Sequence, residues 1–249
     1  MAGYNWGVGV TTSYSWFEDF AEHRAGFDFA FDCDTFDAQP NQYSLMSPHF
    51  EVYSEIGDVA DCAAALVSII EGALYLQRSD FHGFDFNCLF SFGKPQGRRD
   101  IRDANVLADP FPALLRPTKK EISSICSRPT DRLVRMASKD NITRGMLAFL
   151  GVNGPNWITL YALLDFMKSG GWDEDKIIKA ADTSKAELKR FTQTANNPGA
   201  IGPFARHGQK GWKPPATVMT LDEARAIILP AACKYLDHRG RENFDQILV

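Results

Sequence analysis

The first ninety residues switch between a two-residue and a three-to-four-residue apolar period, and that switching restricts the fold more than any other feature of the chain. From Gly3 to Val10, single small or polar residues separate Tyr4, Trp6, Val8 and Val10, the pattern of a strand with one buried face. Ser15 then precedes the apolar-periodic Trp16-Phe17-Phe20-Ala21, which predicts a capped helix ending near Gly26. Phe27, Phe29, Phe31 and Cys33 alternate with Asp28, Ala30, Asp32 and Asp34, and Phe50-Glu51-Val52-Tyr53 follows a polar loop, so two neighbouring strands are expected. Asp58 to Gln77 is rich in Ala and Leu and has no Pro, which predicts a helix; Phe84, Phe86, Cys88, Phe90 and Phe92 then alternate again. Strand, helix, strand, strand, helix, strand is the order of the split βαβ, ferredoxin-like (βαββαβ) arrangement.

After this the rhythm stops. Gly93 to Pro117 holds four prolines and no sustained apolar period, and reads as a connector wrapping the surface. Beyond it the spacing is helical throughout. Helix starts are expected at Thr118-Lys119-Lys120-Glu121, Thr130, Thr143, Asn156, Asp173 and Thr183, and Thr220-Leu221-Asp222-Glu223 forms a capping box for a last helix reaching Tyr235 or Leu236. The expected class is therefore α+β: an N-terminal domain over 1–93, a connector over 94–117 and an all-α bundle over 118–249.

Charge divides the chain at the same place. Residues 1–94 carry 14 acidic and 3 basic side chains, a balance of −11, whereas the remainder stands at +7. Such asymmetry fits a protein partner for the acidic part and RNA or another anionic ligand for the basic part, or head-to-tail homo-oligomers; two solvated domains without special partners fit it equally. The longest apolar stretch, Cys62 to Leu76, is interrupted by Glu71 and is shorter than a membrane span, so no membrane role and a cytoplasmic location are expected.

Several chemistries lack their residues. Five scattered cysteines, Cys33, Cys62, Cys88, Cys126 and Cys233, form no C-x-x-C, and His23, His49, His82 and His238 have no ligand spacing, so neither a metal nor a cofactor is expected. Asp32 and Asp34 would share one strand face, as in palm-type Mg²⁺ sites, but the first strand offers Val8-Gly9-Val10-Thr11 where a further carboxylate is needed; a solvated acidic edge is the reading preferred. Hydrolase-elbow, zinc-protease, P-loop and dinucleotide motifs do not occur.

The least ordinary stretch runs from Phe191 to Arg225. It places Arg206 beside His207, an anion-holding cation next to a group able to act as acid or base, with Asn196, Lys189, Arg190, Lys210 and Lys213 around them as ligand-binding candidates. The alternative is structural, with Asn196 and Arg206 bonding loop carbonyls and His207 satisfying a helix end or packing on Trp212. Ala205-Arg206-His207-Gly208, a polar loop and then MTLDEARAIILPAACKYL resembles the end of HEPN-type helical domains over Trp157 to Leu236. That resemblance implies a bacterial defence or toxin-like protein, and a metal-independent ribonuclease where Arg and His act as a pair. Here the Arg-x(4–6)-His spacing is absent, since the nearest arginine upstream of Arg206 is Arg190, 17 positions before His207. The expectation is thus a non-catalytic or weakly catalytic binding module; the alternatives are a ribonuclease using Arg206 and His207 and a self-assembling structural protein.

Overall fold

A computed structural model describes residues 4–22, 26–33, 42–92, 99–208 and 213–242. The chain order is β1 (Trp6–Thr11), α1 (Phe17–Glu22), β2 (Ala30–Cys33), β3 (Gln42–Met46), α2 (Ile56–Gln77) and β4 (Asp85–Ser91), followed among the described residues by helices alone. These are α3 (Lys119–Ser127), α4 (Pro129–Lys139), α5 (Asn141–Asn153), α6 (Trp157–Ser169), α7 (Glu174–Ala181), α8 (Lys185–Ala195), the single turn α9 (Pro198–Ile201) and α10 (Leu221–Glu242). The protein is α+β, with its antiparallel sheet at the N-terminal end and helices after it.

The strands lie in the order β2-β3-β1-β4, each pair antiparallel. Two strand expectations need correction. The third strand is Gln42–Met46, where Tyr43 and Leu45 face inward, while Phe50–Val52 is a 3-10 turn. Local chemistry overrides the apolar run there: the Ser47 hydroxyl accepts the His49 amide, its carbonyl accepts the Phe50 amide, and Pro48 lies between them. In β4 the alternation is broken by a bulge against Val8 to Val10, which makes Phe86 pair with Val10 but Leu89 with Val8. Leu89 therefore fills the core in place of Cys88, and Phe90 and Phe92 stack edge to face beside Gly7.

Helix α2 is buried for most of its length. It is the one described helix long and apolar enough to cross a membrane, yet 83% of its most apolar stretch is covered by protein. Its closest neighbour is α5, and the crossing is made at two glycines. A Cβ on Gly72 would lie 2.0 Å from the Leu147 carbonyl oxygen, and one on Gly151 would lie 1.9 Å from that of Ser68. One buried apolar cluster runs from Val8 and Leu45 of the sheet through Leu66 and Ile70 of α2 to Leu147, Leu160 and Ile228. The expected connector is anchored to it by Ile101 and Phe111, while Leu107 and Leu114 stay exposed.

The helix starts follow the polar residues, with shifts of one to three positions. Thr118 and Glu121 form a reciprocal capping box, and Asn156 and Asp173 cap α6 and α7. Thr143 does not cap α5; Asp140 does, accepting both the amide and the hydroxyl of Thr143. Likewise α4 starts at Pro129, whose missing N–H costs nothing in a first turn, and Ser184 rather than Thr183 caps α8. Thr220 and Glu223 exchange both capping bonds at the start of α10.

Candidate ligand-binding cleft

The turn singled out in the sequence lies against the C-terminal end of α8. Asn196 caps that helix and donates to the Thr192 carbonyl, and the Arg206 amide donates to Ala195, so these two residues do come together. Their charges and donors are engaged locally. The Arg206 guanidinium lies 4.2 Å above the Tyr161 ring and 2.9 Å from the Asp165 carboxylate. Arg190 reaches away from the turn, 2.8 Å from both Glu187 and Glu223. The Thr220 amide, and after it Arg190, holds the Glu223 carboxyl at about 2. His207 is half-buried, Lys189 and Lys213 are exposed, and Lys210 lies outside the described residues, as does Asp34. An anion reaching Arg206 would compete with a carboxylate already in place.

A cleft lies elsewhere, between the C-terminal end of α2 and the first half of α10, with a volume of about 520 Å³. Ligand pockets span roughly 300–1,000 Å³. Each wall follows from local sequence. The apolar helix α2 stops at Arg78, whose backbone is extended, and the next residues are pinned from the β1–α1 connection. There the Tyr14 hydroxyl accepts the His82 amide and donates to the Gly83 carbonyl, and the Trp16 indole donates to Asp80. On the other side Asp222, Arg225, Ala226, Leu229 and Pro230 are spaced three and four apart and so share one face of α10. Arg225 donates to the Pro155 carbonyl and pairs with Asp222, which ties that face to the α5–α6 turn.

The cleft combines an apolar floor with unused polar groups. Leu76, Phe81, Leu229 and the Tyr75 ring supply the floor. Gln77 accepts from Thr130 through its oxygen, but its buried amide nitrogen has no partner among the described residues. Pro230 has no N–H, so it cannot donate to the Ala226 carbonyl four residues earlier, and both line the cleft. Arg78 is exposed at the mouth, 4.5 Å above the Trp16 ring, and no ion pair among the described residues involves it. Burial, and then the charge of Glu71, pushes the Tyr75 hydroxyl to about 12, so it remains a donor near neutrality.

Two further features escaped the sequence reading. Glu71, the residue that interrupts the apolar stretch of α2, accepts the Phe84 amide at 2.7 Å, and burial pushes its carboxyl to about 7. It borders a groove of about 290 Å³ with Asp85 and Arg102. Arg135 of α4 is 2% exposed and lies 3.6 Å from the buried Asp28. A lone Glu in an apolar helix, and an Arg on the apolar face of α4, were the available signals. Among the described residues no group of three or more potential ligands could hold a metal ion. No family model matches the chain, and neither a curated protein nor a solved structure matches it.

Proposed function

We propose that this chain is a ligand-binding protein whose site is the cleft between α2 and α10, and that its ligand is a small organic acid with an apolar body. One observation carries the reading: an apolar-floored cleft of about 520 Å³ ends at Arg78, a cation stacked on Trp16 and matched by no carboxylate among the described residues. The apolar body would cover Leu76, Phe81 and Leu229, and the carboxylate would meet Arg78. The order β2-β3-β1-β4, with α1 before β2 and α2 before β4, supports reading the N-terminal part as ferredoxin-like, with α2 forming one wall of the site.

The test is ligand-observed NMR with octanoate, phenylbutyrate and their neutral amides. Both acids bind saturably to the wild type, Arg78→Gln weakens them by about tenfold, and Ala226→Trp, which fills the cleft from an exposed position, abolishes binding. Equal binding of acids and amides, or acid binding indifferent to both substitutions, would overturn the assignment.

A further inference from the structure

A second, smaller cavity shares no lining residue with this cleft. It measures about 230 Å³ and lies between the strap of residues 111–116 and helix α4. We propose that it binds a phosphate group.

The lining is cationic and built on buried groups. Arg135 projects from the middle of α4, almost wholly buried, with its guanidinium donating to the Leu115 carbonyl of the strap. Asp28 stands behind it at 3.6 Å and compensates its charge, yet does not line the cavity. Arg116 from the strap and Lys139 from the end of α4 also line it; both are exposed and neither enters an ion pair among the described residues. No carboxylate is among the lining residues. Two cations are thus left in surplus around an inward-facing third.

A second observation points the same way. The buried Arg135 Nε has no hydrogen-bond partner among the described residues, although the other two guanidinium nitrogens are engaged with Leu115, Ser138 and Asp28. The negative end of α4, which would repel an anion, is occupied: Arg144 donates to the Ala137 and Ser138 carbonyls. His49 forms a wall. Its Nδ1 accepts the Ala113 amide and its Nε2 faces Asp28, each at 3.3 Å. Cations arriving from the strap, from mid-helix and from the helix end approach from different directions, which suits a tetrahedral anion better than a planar carboxylate.

Isothermal titration separates the sources of that phosphate, with inorganic phosphate in one arm and glycerol phosphate in the other, at matched ionic strength. The wild type binds at least one of them saturably; the tighter of the two identifies a free anion or a monoester. Arg135 supports the fold, so the variant to test is the exposed pair R116Q/K139Q, which lowers the affinity by about tenfold with an unchanged circular dichroism spectrum. The variant K119Q/K120Q, exposed at the start of α3 and outside the lining, binds as the wild type does. Absence of saturable binding in both arms, unaltered affinity in R116Q/K139Q, or an equal loss in K119Q/K120Q would overturn the proposal.

Discussion

Replacing Gly72 by alanine tests the α2–α5 crossing on which the whole arrangement turns. The added Cβ would sit 2.0 Å from the Leu147 carbonyl oxygen, and carbon and oxygen normally approach no closer than about 3.3 Å. The obstacle is backbone, so no side chain can rotate away; the helices must part by roughly 1.3 Å, a gap that forfeits more than half of the dispersion at the contact. That places the cost at or slightly above the upper end of overpacking, about 3–4 kcal/mol, from which about 1 kcal/mol is recovered by the better helix propensity of alanine. The net loss is about 2–3 kcal/mol, or a Tm lower by roughly 5–10 °C for a chain of this size. Gly145→Ala on α5 is the control, since its Cβ would meet only the Phe166 ring at 3.5 Å, an ordinary contact. It should gain about 0.5–1 kcal/mol. Urea denaturation of both variants decides the matter: a stable Gly72→Ala, shifted in the same direction as Gly145→Ala, would refute the close crossing.

Three further outcomes follow from the structure. Glu71 has a folded pKa near 7 against an unfolded value near 4.5, so the folded state holds its proton longer and stability is lost as pH rises from about 4.5 to about 7. The loss is about 3 kcal/mol, and Glu71→Gln, which can still accept the Phe84 amide, flattens that slope in denaturation curves taken between pH 4 and 8. Arg135→Met strands the Asp28 carboxylate and costs about 3–5 kcal/mol, much of which Asp28→Asn restores in a double-mutant cycle. Thr220→Ala removes the acceptor for the Glu223 amide at the start of α10 and costs about 1 kcal/mol, read as a modest drop in the urea midpoint.

Much of the secondary structure was legible because it rests on local chemistry. Capping residues such as Thr118, Asn156 and Thr220 announce their helices whatever packs against them, and the strand at Val8 and Val10 shows its period in six residues. What failed was what neighbours decide. The bulge opposite Val8 to Val10 exchanges Cys88 for Leu89 in the core, and no reading of β4 alone contains that shift. The strand at Gln42–Met46 hid in a polar context because Gln and Ser alternate in the sequence with its inward Tyr43 and Leu45. For the site, the sequence draws attention to residues that are unusual, whereas the cleft is made of ordinary ones: Gln77 and Arg78 end one helix, Ala226 and Leu229 sit on another, and only the fold brings them together. The conspicuous Arg206 is engaged with Tyr161 and Asp165, which lie more than forty residues earlier in the chain.

Backbone amide resonances followed as octanoate is added report whether the proposed small organic acid enters the α2–α10 cleft. Saturating shifts confined to Gln77 through His82 and Arg225 through Leu229, the two stretches that face each other across the cleft, are the expected result. Saturating shifts centred on Arg206 and His207, or no saturating shifts at all, would contradict it.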